Sequence, residues 1–141
     1  MAERIQVDII SDVVCPWCFI GYRQLEKALD LAGLEADIRW HPFELNPHMA
    51  AEGEDTAEHI FRKYGATPEQ SAATRGHLKA IAEPLGIDFS GRSKRIWNTF
   101  KAHQLLLWAQ GTGKQTALKL ALFQAYFTAG ENVSDEAVLL D

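Results

Sequence analysis

Cys15 and Cys18, separated by Pro16 and Trp17, are the only two cysteines in the 141-residue chain. Such a pair holds half a metal site, opens and closes a small disulfide ring, or packs as two inert thiols. Zinc needs two further ligands. No third cysteine exists, and His41, His48, His59, His77 and His103 show no ligand-like pairing, so no metal is expected. Inert thiols need no particular place in a fold, yet these two fall where a strand pattern gives way to a helix pattern. The unpaired N–H groups and the dipole of a helix N-terminus stabilise an anion. A thiol placed there ionises near neutral pH and becomes a nucleophile. Pro16 suits the first helical turn, where a missing N–H costs nothing. Cys18 lies one turn on, within reach of the Cys15 sulfur. The pair reads as redox-active: Cys15 attacks a substrate disulfide and Cys18 resolves the mixed disulfide. Asp12 pulls the other way, since a nearby carboxylate raises a thiol pKa.

The elements that must position this pair are visible in the periodicity. Ile5, Val7 and Ile9 alternate with Gln6 and Asp8 as in a half-buried strand, which stops near Ser11 and Asp12. Leu25, Ala28, Leu29 and Ala32 recur at helical spacing, and Gly33 stands where a C-cap glycine belongs. A second strand is expected from Ala36 to His41, with Ile38 and Trp40 on one face and Pro42 ending it. Residues 1–43 form a βαβ unit, with parallel strands and a right-handed crossover.

Residues 44–141 read as an all-helical unit. A short helix over 55–65 would bury Ile60, Phe61 and Tyr64 and leave Asp55, Glu58, Arg62 and Lys63 as a solvated face. Thr67-Pro68-Glu69-Gln70 is a capping box with proline at the first helical position. That helix should reach about Leu85, with Pro84 loosening its last turn and Gly86 after it. Ser93 to Gln110 reads as one long helix with the stripe Ile96, Phe100, His103 and Leu107. Lys114 to Ala129 is another, with Leu118, Leu122 and Ala125 inward and Gly130 as its stop. Ser134 caps a helix that has barely begun at Asp141. Trp97 and Trp108 read as packing residues. Gly111-Thr112-Gly113-Lys114 is an interhelical turn and not a phosphate loop: Trp108 stands where the first glycine would be, and Gln115 follows the lysine.

Composition narrows the classes. With 47% apolar residues the chain is not a disordered one, and no apolar run is long enough to span a membrane. Fourteen basic against nineteen acidic residues, a net charge of -5, argue against nucleic acid as a partner. No basic segment followed by an apolar stretch and a cleavage site opens the chain, so the expected location is the cytoplasm, where paired cysteines are more often catalytic than structural.

Four blocks in order carry a family resemblance over essentially all 141 residues: residues 11–18 with Ile20-Gly21, then 40–47, 98–103 and 121–127. Together they resemble the DsbA family of thioredoxin-fold oxidoreductases, and most of all its cytosolic FrnE-like branch. The resemblance implies an α/β, thioredoxin-like fold of DsbA type with an all-helical insertion. It implies a protein disulfide oxidoreductase or isomerase with Cys15 as nucleophile, Cys18 as resolving thiol, and Pro16 and Trp17 tuning the redox poise. It places Asn98 and His103 in a helix crossing above the cysteines, candidates for substrate binding with Phe43, although a histidine on an apolar stripe is more often a satisfied core group. Family members continue into a β-hairpin that opens with a cis-proline and into a final helix. The five prolines here, at 16, 42, 47, 68 and 84, all precede the long helices, so none fills that role. The first strand is therefore expected to present an open edge, which a second copy could cover as a homodimer.

The partners expected are thiol- or disulfide-containing proteins or small molecules. No cofactor is expected beyond glutathione as a redox partner or cosubstrate. Two other functions fit the same architecture. Glutathione-dependent isomerases and transferases of the 2-hydroxychromene-2-carboxylate isomerase and kappa-class type share it, commonly with a serine at the Cys15 position and no second cysteine. A non-catalytic partner-binding fragment would use the open strand edge.

Overall fold

The computed structural model describes residues 4–90 and 95–140. β1 (Arg4–Ser11) and β2 (Glu35–Pro42) pair in parallel, with Ile5 opposite Ala36, Val7 opposite Ile38 and Ile9 opposite Trp40. α1 (Pro16–Ala32) joins them. Burial alternates along most of both strands and is deepest at Ser11, which ends β1, and at Trp40 in β2. Gly33, with φ +67°, ends α1: its N–H reaches the Asp30 carbonyl and that of Leu34 reaches Leu29.

Five more helices follow: α2 (Thr56–Tyr64), α3 (Pro68–Ala82), α4 (Phe100–Ala109), α5 (Gln115–Phe123) and α6 (Glu136–Leu140). The expected capping box opens α3. Gln70 N–H donates to Thr67 Oγ1 at 3.2 Å, and Thr67 N–H to Gln70 Oε1 at 2.8 Å. Pro84 sits in a 3₁₀ turn, Glu83–Leu85, ended by Gly86.

Several local expectations are corrected. Within the expected helix from Ser93 to Gln110, the described part starts at Phe100; Ser93 lies outside the described residues. Arg95 and Ile96 instead form β4, antiparallel to β3 (Glu54–Asp55), a two-residue ladder in the part expected to be all helical. On α4 the buried set is Ala102, His103, Leu106 and Ala109, while Phe100 and Leu107 are exposed. Trp108, expected to pack, is 71% exposed. In α2 the buried residue is His59, held to Glu54 at 3.1 Å, and Phe61 and Tyr64 face outward. The charged face of α2 lies at the surface as expected, with Glu58, Arg62 and Lys63 exposed, and it carries local bonds: Asp55 caps the helix at Glu58 N–H, Arg62 pairs with Glu54, and Lys63 donates to the Leu45 carbonyl. At α6 the cap is Asp135, accepting from Ala137 N–H, while Ser134 Oγ bonds Asn132 and Ala51.

An aromatic core joins α1 to α5. Phe19 stacks on Phe123 with centroids 4.7 Å apart, and Phe127, Phe89 and Trp40 close around them. After Phe123 the helix widens into a π turn, Gln124–Thr128, which lets the adjacent Tyr126 and Phe127 both face inward. The free edge of β2 is closed by a side chain. Buried Gln115 accepts from Trp40 N–H at 2.9 Å and donates to the Trp40 carbonyl at 3.0 Å, as a third strand would. The same amide donates to the Leu106 carbonyl and so ties α4, α5 and the sheet together.

Candidate functional site

The sequence Ser11-Asp12-Val13-Val14 turns the chain sharply from β1 into α1. Ser11 to Val14 are all buried, and Cys15 N–H closes the turn on the Asp12 carbonyl at 3.4 Å. Cys15 is the N-cap of α1, with extended backbone, and Cys18 N–H donates to its carbonyl at 3.2 Å. Both cysteines are half-buried and free. Pro16 occupies the first helical position.

The two thiols hydrogen-bond each other and share a proton, so their ionisations belong to the pair. The hydrogen bond from Cys15 lowers the Cys18 thiol to about 6, against burial; the Asp12 backbone and the Lys119 ammonium lower it further, and the Asp12 carboxylate raises it. The same hydrogen bond, with burial, raises Cys15 above the ordinary thiol range, while the Cys18 and Trp17 amides at the helix mouth pull it down. The pair thus holds one thiolate near neutral pH and resists forming a second.

Beneath it sits a buried polar cluster. Asp12 Oδ1 accepts from Val13 N–H at 2.7 Å and lies 3.1 Å from His103 Nε2, and Oδ2 accepts from Leu45 N–H at 2.9 Å. Burial pushes the Asp12 carboxyl up, but the His103, Leu45 and Thr99 hydrogen bonds outweigh it and hold the group below its usual range. Lys119 completes the cluster. Its side chain is 1% exposed, with Nζ 5.3 Å from the Trp40 ring and 5.2 Å from that of Phe123. Burial lowers its amine to about 8, opposed by the charges of Asp12 and the two cysteines. Among the described residues no three His, Cys, Asp or Glu side chains are grouped to hold a metal ion.

The residues singled out in the sequence are placed as follows. Trp17 is 48% exposed on the first turn of α1, its ring 6.2 Å from that of His77 on α3. Phe43 is 53% exposed, and its N–H donates to the Ser11 carbonyl, which fixes it beside the end of β1. His103 faces the site from below, through Asp12. Asn98 is engaged locally: Nδ2 donates to the Met49 carbonyl, and Oδ1 accepts from Phe100 N–H at the start of α4. Lys119, Thr99 and Gln115 were not legible as site residues. One signal was present: Gln115, Lys119, Leu122, Phe123 and Tyr126 recur at helical spacing on one face, so the lysine stands on an apolar stripe.

The family described as DSBA-like thioredoxin domain matches residues 6–141. An uncharacterized protein of Bacillus subtilis (strain 168), YwbO, is 26% identical over 137 residues, 96% of this chain and 62% of that protein. The crystal structure of a probable DsbA oxidoreductase from Streptomyces coelicolor superposes with a TM-score of 0.84 at 33% identity, covering 96% of this chain and 59% of that one. The cytosolic disulfide reductase DsbM from Pseudomonas aeruginosa, solved with GSH, shares the fold at 18% identity and a TM-score of 0.61, over 96% of this chain and 61% of its own. The chain spans about three fifths of the length of each of these relatives.

Proposed function

Because the chain belongs to the DSBA-like thioredoxin domain family, we propose that it is a thiol–disulfide oxidoreductase or disulfide isomerase working through Cys15-Pro16-Trp17-Cys18. The observation that carries this is the placement of the pair: two thiols sharing one proton at the mouth of α1, one of them ionised near neutral pH. In the reductive direction the pair's shared proton passes to Cys18, and Cys15, now the thiolate, attacks one sulfur of a substrate disulfide. A mixed disulfide forms and the other substrate sulfur leaves as a thiolate that takes a proton. Cys18, as thiolate, then attacks Cys15 Sγ, releasing the second substrate thiol and leaving the Cys15–Cys18 disulfide. The substrate gains two electrons and the pair loses two. The oxidative direction is the reverse.

Cys15 is assigned as nucleophile because it stands at the N-cap, where the Trp17 and Cys18 amides face it and the chain beyond is helix. Trp17, between the two cysteines in sequence, and Phe43, held beside the end of β1, are both about half exposed and form the apolar platform for substrate. His103 and Asn98 shape that wall from behind, His103 through Asp12 and Asn98 through the Met49 loop. Pro16 and Trp17 tune the poise. The substrate class is a thiol or disulfide of a protein or small molecule, with glutathione as a partner of the pair and no resident cofactor. The location is the cytoplasm, in keeping with the FrnE-like branch that the sequence resembles. The outer edge of β1, paired to no described strand, is the surface for a homodimer.

The test is exchange with a fluorescent disulfide-linked peptide. The native chain should cleave it, Cys15→Ser should be inactive, and Cys18→Ser should accumulate a stable mixed disulfide on Cys15. Turnover by Cys15→Ser equal to that of the native chain would remove this reading. A glutathione-dependent isomerase is disfavoured by the second thiol at position 18, since that chemistry needs only one activated group.

A further inference from the structure

Lys119 is placed where a lysine is costly. A buried ammonium gives up its hydration, a loss that only facing opposite charge offsets, and an apolar side chain of similar volume would pack there without that cost. The groups that face it come from four directions. Asp12 approaches from the β1–α1 turn and Cys15 and Cys18 from the start of α1. His103 of α4 and His41 of β2 line the same narrow gap as Lys119. Two ring faces, Trp40 and Phe123, hold the ammonium in place. Asp12 already receives hydrogen bonds from Val13, Leu45, His103 and Thr99. Asp12 is the strongest of the charges facing Lys119, followed by Cys18 and Cys15. Asp12 is already held by four hydrogen bonds, whereas the anion on the cysteine pair has the partner thiol and backbone amides but, among the described residues, no other cation beside it.

We propose that Lys119 is a positioning residue of the redox centre, its buried ammonium stabilising the singly ionised reduced pair so that the charge on Lys119 and the oxidation state of Cys15 and Cys18 are coupled. This rests on the reading of the cysteines as a redox pair. With Lys119 charged, a dithiol or two glutathione thiols deliver two electrons to the Cys15–Cys18 disulfide, and the pair takes up one proton instead of two. The product is one thiol, one thiolate and the ammonium that faces them. Oxidation removes the anion and leaves the ammonium facing Asp12 alone.

Coupling of this kind is reciprocal. It can be read in the unmodified chain by following the Lys119 side-chain resonances through a pH titration, reduced and oxidised. Lys119 should hold its proton about tenfold more tightly in the reduced state, the effect of one added charge close by in a protein interior. Lys119→Met should shift the glutathione equilibrium by the same factor of about ten toward the disulfide, and Lys119→Arg should restore it. An identical Lys119 titration in both redox states would overturn the proposal while leaving the redox pair intact. If Lys119→Met does not fold, the native titration decides alone. If no disulfide forms in any buffer, the redox reading fails and takes this inference with it.

Discussion

At the scale of single residues, the chemistry depends on one shared proton and the charges around it. Cys18 ionises at about 6, so thiolate absorbance in the reduced chain should rise with a midpoint near that pH, with no second rise before strongly alkaline conditions. A midpoint in the ordinary thiol range, near 8.5, would mean the two sulfurs do not share a proton. The order of alkylation tests which sulfur reacts. Because the single charge belongs to the pair and can pass to Cys15, where the Trp17 and Cys18 amides receive it, brief iodoacetamide treatment at neutral pH should label Cys15 before Cys18, and the opposite order would exchange their roles. Asp12 is structural support for both. Asp12→Ala strands the Leu45 and Val13 amides and the His103 ring, a loss on the order of 3 kcal/mol. Its folded pKa lies below the unfolded value of 3.8. Its contribution is therefore full above that value and is lost as the pH falls through the folded pKa. Asp12→Asn should flatten that acid limb of the stability profile. Lys119 has the opposite character: its folded pKa, about 8, lies below its unfolded 10.5. Between the two the unfolded chain binds more protons, so stability gained on this residue's account rises with pH through that window. Lys119→Met should remove that rise, and it should keep or raise the melting temperature at pH 7, as expected when function holds a charge where packing alone would place none.

At the scale of elements, what was legible was what is written locally. Alternation in β1, the Thr67–Gln70 capping box and the Gly33 stop each depend on neighbours within a few residues, and each formed where the sequence put it. The segment from Ser93 to Gln110 misled because Ile96, Phe100, His103 and Leu107 keep helical spacing while Ile96 is claimed from afar, by pairing with Glu54. Asn98 then starts α4 afresh by accepting from Phe100 N–H. The cysteine pair was legible from residue type and position. The cluster beneath it was only partly so, because a lysine in a helix defaults to solvent and no local pattern announces the rings of Trp40 and Phe123. Gln115 is hidden for the same reason. Gln115→Ala should cost on the order of 2 kcal/mol and speed hydrogen exchange at the Trp40 amide, which an ordinary helix-surface truncation would leave protected. Gly53 is likewise fixed by a distant partner. Its φ is +72°, and an added Cβ would lie 2.5 Å from the Ile96 carbonyl oxygen and 2.7 Å from the Trp97 ring, so Gly53→Ala should break the β3–β4 ladder.

At the scale of the whole molecule, a two-stranded sheet carries the redox turn, and its two edges are treated differently. Gln115 closes β2, while β1 offers its outer edge with Ile10 70% exposed near the cysteine end. If two copies pair there, light scattering at rising concentration should approach twice the 15.8 kDa chain mass, and Ile10→Lys should return it to one. The mass of one chain at every concentration would remove the dimer. The claim on which the rest depends is that Cys15 and Cys18 open and close as a pair. It is tested most directly by equilibrating the chain in glutathione buffers of graded redox ratio, quenching in acid and weighing the intact protein. The expected result is a reversible loss of two protons with little glutathione adduct, its midpoint giving the potential. A persistent single glutathione adduct with no internal disulfide at any ratio would contradict it.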